Sequence, residues 1–280
     1  VYEAARAKIN ISLDVLGLMP DGYHELDSVM VSLSLCDDVS VTLLKSGGTD
    51  VVIRGFTAPR NPAATAALRF FDALGLSGCT ADIEIKKRIP VQAGLGGGSA
   101  DAAAVLRALN VLCGGCRTFD RLREIGLFVG ADVPFCVEGG TARAGGRGEL
   151  LSPLRDFPDC GILLVKPAFS VSTAELYSKI DSVKIAERPD TGAVADAVGK
   201  GDLRGIAAKV CNVFEEVLSP DLREEIFAIK SRLLEFGALS SAMTGTGSAV
   251  FGLFEKIADA SDARNMPWGT CEVFLCRPEK

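Results

Sequence analysis

Residues 90–104 read "PVQAGLGGGSADAAA", four glycines running into an alanine-rich segment whose pattern is helical. Ordered glycine costs backbone entropy, so such a cluster implies left-handed turns or a close approach to something. Bare N–H groups at the positive end of a helix are a ready-made anion site. The competing reading is an ordinary surface turn with Ser99 as a helix cap. A P-loop is excluded, because "AGLGGGSAD" contains no lysine and the Gly199-Lys200 pair is followed by Gly201. The dinucleotide pattern G-x-G-x-x-G runs from Gly94 but ends on Ser99. Upstream lie Lys86, Lys87 and Arg88, a basic patch at the end of a strand-like segment.

At 280 residues the chain is long enough for one large or two ordinary domains. A composition of 48% hydrophobic and 24% charged residues is that of a soluble globular protein. The net charge of −6 argues against nucleic acid held by bulk charge. No apolar run reaches the ~18 residues of a membrane span, and the N-terminus resembles neither a signal nor a transit peptide. Nine cysteines without a framework spacing suggest free thiols in the cytoplasm. Cys113 and Cys116 form a C-x-x-C pair, but His24 is the sole histidine. A chance pairing in an interhelical turn is preferred to a zinc or redox site.

From Ile9 to Val15 apolar and polar residues alternate, the signature of a half-buried strand, with Lys8, Asn10, Ser12 and Asp14 on its polar face. Further strands are expected at 29–35, 39–44, 82–86, 133–137, 162–165, 248–254 and 271–276. Asn61 and Pro62 should open a helix lined by Leu68, Phe71 and Leu74. Ser99 should cap a second helix over 99–112, Thr118 starts a third, and Ser172 with Glu175 forms a capping box. The clearest helix runs from Ser219 to Phe236, with Leu222, Ile226, Ile229, Leu233 and Phe236 in one stripe. Strands and helices mix without strict βαβ alternation, so the expected fold class is α+β. The glycine-rich stretch 139–148 and Pro153 place a domain boundary near residue 155, giving an N-terminal nucleotide-binding domain over 1–154 and a C-terminal domain over 155–280.

Three ordered motifs carry a resemblance. "PVQAGLGGGSADAAAVLRALN" (90–110) resembles the ATP-binding motif of the GHMP kinases, the superfamily of galactokinase, homoserine kinase, mevalonate kinase and phosphomevalonate kinase. "RAKINISLDVLG" (6–17) and "MTGTGSAVFGLF" (243–254) are similar to its N-terminal and C-terminal motifs. "PDGYHEL" (20–26), "GADVPF" (130–135) and "SVSTAELY" (170–177) are similar to one branch of it. That branch phosphorylates the 2-hydroxyl of 4-diphosphocytidyl-2-C-methyl-D-erythritol in the methylerythritol phosphate route to isoprenoids. The resemblance spans Ala7 to Phe254 and implies a two-lobed α+β fold with its active site in the inter-lobe cleft. Two local departures concern nucleotide contacts: Ala100 stands where a second serine is common, and Asn61 is followed by Pro62 and Thr65.

The resemblance also implies roles. Lys8 and Asp132 match the catalytic pair, Lys8 stabilising the moving phosphoryl group and Asp132 accepting the hydroxyl proton or orienting the hydroxyl. Taken alone, Lys8 would be a solvated strand lysine and Asp132 a turn residue before Pro134. Pro90, Val91, Gln92, Ala93, Gly94, Leu95, Gly96, Gly97, Gly98, Ser99 and Ala100 match the segment that wraps ATP, with Ser99 reaching toward Mg²⁺. Tyr23, His24 and Tyr177 match the residues that hold the cytosine, and Asn10 and Thr173 the polar contacts to the diphosphate or sugar alcohol. Two other readings stand beside this one: a sibling kinase acting on another small alcohol, and a kinase-like sensor without catalysis. ATPase activity with and without the cytidine substrate separates all three.

Overall fold

The computed structural model describes residues 1–56 and 59–279. The chain falls into two units, neither continuous in sequence. One comprises Val1–Ala7, Leu35–Val91 and Gly96–Gly139; the other comprises Lys8–Ser34, Gln92–Leu95 and Gly140–Lys280. The strands β1 (Tyr2–Leu18) and β2 (His24–Lys45) run on from one unit into the other. A single cut at 154/155 therefore falls inside the second unit. The reason is local: strand β5 (Thr141–Gly145) pairs with β2 from Ser28 opposite Ala144 to Val31 opposite Thr141.

In the first unit the second half of β2 is antiparallel to β4 (Cys79–Lys86), which is parallel to β3 (Asp50–Arg54). Helices α1 (Pro62–Leu74), α2 (Gly97–Leu112), α3 (Phe119–Leu127) and α4 (Val133–Glu138) pack together. Asn61 accepts from the Ala63 N–H at 2.9 Å with Pro62 in the first turn, so α1 starts as its sequence predicts. Its inner face differs. Ala63, Ala66, Ala67, Phe70 and Phe71 are buried, whereas Leu68 is 50% exposed. Small residues on α1 and the buried Ala100, Ala103 and Ala104 of α2 permit a close helix pair, which outweighs the leucine periodicity. The strand expected at 133–137 is helix α4. Pro134 cannot donate to a ladder but suits a first helical turn, and that outweighs the β-rich look of Val133, Phe135 and Val137.

The second unit holds a sheet in the order β11-β7-β10-β9, with β7 (Gly161–Lys166), β9 (Ser240–Met243), β10 (Val250–Phe254) and β11 (Glu272–Cys276). β6 (Leu150–Pro153) completes a hairpin with β5, and β8 (Cys211–Asn212) runs parallel to β1 at Ser12 and Leu13. Helices α5 (Thr173–Ile180), α6 (Thr191–Lys200), α7 (Leu203–Ala207), α8 (Pro220–Glu235) and α9 (Ile257–Arg264) complete it. The α8 stripe lies as predicted, with Ile226, Ile229 and Leu233 buried and Leu222 and Phe236 packed against the same core. Both units mix helices with mainly antiparallel strands, the expected α+β class.

β1 departs from its half-buried reading. Ile9, Ile11, Leu13 and Val15 are buried, but so are Lys8, Asn10, Ser12 and Asp14 on the opposite face. A strand with a buried polar face must satisfy every group on it. That requirement leads to the site.

Candidate active site

The polar face of β1 is a hydrogen-bonded row. Lys8 is 4% exposed, and its Nζ donates to Asn10 Oδ1 at 2.8 Å. The Asn10 amide nitrogen passes on to Ser28 Oγ at 2.8 Å, and Ser28 donates to the Ser12 carbonyl at 2.6 Å. This burial removes the solvated-lysine reading, since an ammonium is not withdrawn from water without compensation.

Beside this row the segment Gln92–Leu95 lies on the Thr244–Ser248 turn. Three consecutive carbonyls are tied down: Ala93 O accepts from Ala249 N at 3.1 Å, Gly94 O from Thr244 Oγ1 at 3.5 Å, and Leu95 O from Lys8 N at 3.0 Å. In trans peptides the following N–H groups then face the other way. Gly94 has φ +74°, and a Cβ there would lie 2.1 Å from the Thr244 carbonyl oxygen, so only glycine fits. The Thr244 turn is itself held by Asn212, whose Nδ2 donates to Met243 O at 2.7 Å and Gly245 O at 2.8 Å. Ala93, Leu95 and Ala100 have buried side chains and offer a ligand only backbone, whereas Val91 and Gln92 are exposed.

In the first unit, α2 begins at Gly97 behind a left-handed Gly96 that makes no side-chain cap. Ser99 is therefore inside the first turn and is not the cap the sequence suggested. Gly96 precedes a bare turn whose N–H groups at Gly97, Gly98 and Ser99 have no intrahelical acceptor. Gly97 and Gly98 have helical backbone; what they need is room. A Cβ would lie 3.1 Å from Ile89 Cγ2 at Gly97 and 3.2 Å from Pro62 Cγ at Gly98. Ser99 Oγ borders the Gly130 turn, at 3.8 Å from where a Gly130 Cβ would stand, and that turn leads to Asp132. Asp132 occupies the N-cap of α4 without a side-chain capping bond.

The basic patch at 86–88 is already neutralised. Lys87 is bonded to Asp37 and, at 2.8 Å, to Asp101; Arg88 pairs with Asp38 and Lys86 with Glu84. Asp37 also accepts the N–H groups of Arg88 and Ile89 at 2.5 and 2.8 Å. Burial pushes the Asp101 carboxyl up to about 7 against the pull of Lys87, with Asp37 adding to the rise. This buried cluster beneath α2 was not foreseen. Its one sequence signal was an aspartate directly behind the glycine loop.

The second unit also gathers the aromatic residues. His24 Nε2 lies 3.0 Å from Asp181 Oδ2, and its ring is 5.2 Å from that of Tyr177, tilted 39°. Tyr177 meets Phe214 edge-on at 4.9 Å, so its ring is braced by the core. Tyr23, next in the chain to His24, is 55% exposed. Thr173 Oγ1 lies 2.7 Å from Thr246 Oγ1, which joins the start of α5 to the Thr244–Ser248 turn. Thus Lys8, Asn10 and Gly94 adjoin one another, His24 adjoins Tyr177, Thr173 adjoins the glycine turn, and Ser99 adjoins the turn before Asp132.

Comparison with known proteins gives this geometry a context. Residues 61–140 match the GHMP kinases N terminal domain and residues 194–266 the GHMP kinases C terminal domain. The chain is 40% identical over 269 residues to the 4-diphosphocytidyl-2-C-methyl-D-erythritol kinase of Alkaliphilus oremlandii, covering 94% of this chain and 91% of that one. It is 43% identical over 264 residues to the protein of that name from Pelotomaculum thermopropionicum, with coverages of 94% and 91%. Among solved structures it is similar to a 4-(cytidine 5'-diphospho)-2C-methyl-D-erythritol kinase, with a TM-score of 0.82 and 31% identity over the whole of both chains. The mevalonate kinase of Methanococcus jannaschii shares the fold at a TM-score of 0.72 and 13% identity, covering 100% of this chain and 98% of that one.

Proposed function

The chain belongs to the GHMP kinase family, within its 4-diphosphocytidyl-2-C-methyl-D-erythritol kinases, and on that premise we propose how its residues divide the work. It is a small-molecule kinase that uses ATP to phosphorylate 4-diphosphocytidyl-2-C-methyl-D-erythritol on its 2-hydroxyl, in the methylerythritol phosphate route.

Phosphoryl transfer leaves little covalent chemistry to the protein, so positioning and charge dominate. The phosphates of ATP lie against the first turn of α2 and the N–H groups of the Gly94–Gly98 loop. Lys8 stabilises negative charge on the moving phosphoryl group. Asp132 holds the acceptor hydroxyl and takes its proton late in the transfer. Tyr23, His24 and Tyr177 hold the cytosine, an aromatic ring stacking on it and polar groups reading its edge. Asn10 and Thr173 contact the sugar alcohol or diphosphate. The observation that carries this division is the burial of Lys8 in a bonded polar row beside the glycine segment.

Magnesium fits only as an ion that arrives with the nucleotide. Among the described residues no group of three or more His, Cys, Asp or Glu side chains is placed to hold a metal. The Ser99 hydroxyl is a hard oxygen donor at the phosphate end of α2, and Mg²⁺ commonly takes few protein ligands beside substrate phosphates and water. When bound, it would neutralise phosphate charge. None of the described helices is long and apolar enough to cross a membrane. The nine cysteines are free thiols, which supports a cytoplasmic location.

The test uses Lys8→Met and Asp132→Asn. Each should keep ATP affinity while turnover falls by about 100-fold or more, because both groups act on the transition state. Near-normal turnover in Asp132→Asn would reduce that residue to a turn position. Loss of ATP affinity with unchanged turnover in Lys8→Met would move Lys8 from catalysis to binding.

A further inference from the structure

The glycine-rich stretch 139–148, which the sequence offered only as a boundary, builds the tip of the β5–β6 hairpin. Gly145 O accepts from Gly148 N at 3.0 Å across that turn. Arg147 stands between Gly146 and Gly148, and its N–H is held by Glu149 Oε2 at 2.6 Å. The Gly146 carbonyl accepts from Leu26 N at 2.7 Å, which fixes the tip to β2 two residues past His24. From there the Arg147 guanidinium lies 3.7 Å from the centroid of the Tyr23 ring. Asp21 completes the arrangement, with Oδ2 accepting from Arg147 Nη2 at 2.5 Å and Oδ1 from the Tyr23 N–H at 3.0 Å.

We propose that Arg147 is a positioning residue for nucleobase recognition, its planar cation backing one face of Tyr23 so that the other face stands ready for the cytosine. This rests on the reading of Tyr23 as a base-holding residue. Three features support it. A tyrosine 55% exposed on a turn would otherwise sample several rotamers, and ordering it before binding removes that entropy from the binding step. A guanidinium over a ring face is attracted by the ring quadrupole, and its flatness matches the ring. Asp21 holds both the backbone of Tyr23 and the head group of Arg147, so turn, ring and cation are set by one carboxylate. The bare tip is then explained, because the glycines flanking Arg147 let a two-strand hairpin turn tightly enough to deliver the side chain to a residue of β1–β2.

The test is steady-state kinetics on the full chain with Arg147→Met, Arg147→Lys, Tyr23→Ala and the double variant Tyr23→Ala/Arg147→Met. Arg147→Met should raise KM for the cytidine substrate about threefold to fivefold, the worth of one partly exposed cation–ring contact, with KM for ATP unchanged. Lysine should restore only part of the loss, because it supplies charge without the plane. In the Tyr23→Ala background the Arg147→Met change should add nothing, since the ring it backs is gone. An unchanged KM in Arg147→Met, full rescue by lysine, or additivity in the double variant would each overturn the proposal. If Tyr23→Ala itself leaves the cytidine KM unchanged, the base-holding reading fails and this inference with it. If Tyr23→Ala raises that KM while Arg147→Met does not, only the role of Arg147 fails.

Discussion

The glycine run at 94–98 and the Gly114-Gly115 pair both border helical sequence and differ in space. Gly94 and Gly114 both take left-handed φ, +74° and +82°. Around Gly94 the Thr244 carbonyl oxygen would sit 2.1 Å from an added Cβ, and its own carbonyl is tied to the facing turn. Around Gly114, at the C-terminal end of α2, an added Cβ meets nothing within 4 Å. One glycine serves a close approach of two backbones and the other only a change of direction. Glycine density marks both; only the opposing surface separates a site from a turn.

Substitution separates the two glycines. Gly94→Ala carries the larger expected effect. Both the left-handed backbone and the collision with Thr244 must be relieved, at a cost of about 3 kcal/mol or more, by parting the two turns. Thermal melting should drop clearly and ATP affinity should be lost, read by calorimetric titration. A Gly94→Ala protein with normal ATP affinity would detach this loop from phosphate binding. Gly114→Ala carries the smaller effect. An alanine in left-handed conformation costs about 1 kcal/mol, a fall in Tm of about 2–4 °C, with kinetic constants unchanged. Altered ATP kinetics in Gly114→Ala would mean that the far end of α2 is coupled to its phosphate end.

The Asp101 cluster adds a pH dependence to the same helix. The Asp101 pKa is raised to about 7, above an unfolded value near 3.9, so the unfolded state releases this proton more readily. Stability from the protonated form is then fully present below the unfolded value and is lost as pH rises toward 7. Asp101→Asn should flatten that part of the pH–stability profile, measured by denaturant melts between pH 5 and 8. An unchanged slope would show that the titrating group lies elsewhere.

Much of the fold was legible because its signals are local. The cap of Asn61, the Thr118 start of α3, the Ser172 cap and the stripe of α8 each depend on residues within a turn or two, and the structure keeps them. What was not legible depends on partners distant in sequence. The polar face of β1 reads as solvent-facing until Ser28 and Thr244 cover it. Leu68 reads as core until the alanines of α1 and α2 draw the helices together on another face. Val133–Val137 reads as a strand until Pro134 is placed in a first turn. The candidate site residues were proposed by motif, Lys8 and the glycine loop from the three ordered segments and Tyr23, His24, Asp132, Thr173 and Tyr177 from three shorter ones. Of their supports, Asp101 stands inside the glycine motif, whereas Asp37, Asn212 and Arg147 come from outside the motifs and carry no pattern of their own.

If Tyr23, His24 and Tyr177 hold the cytosine as proposed, this kinase recognises its alcohol through the cytidylyl group. The direct measurement is ADP release with ATP, Mg²⁺ and either 4-diphosphocytidyl-2-C-methyl-D-erythritol or the uncytidylylated 2-C-methyl-D-erythritol 4-phosphate, with the product's phosphorylated position read by NMR. The expected result is transfer to the 2-hydroxyl of the cytidylylated alcohol, with kcat/KM about 10-fold or more above that for the uncytidylylated compound, the scale of one base stacked on an aromatic ring. Equal turnover of the two alcohols would contradict recognition through the cytidylyl group.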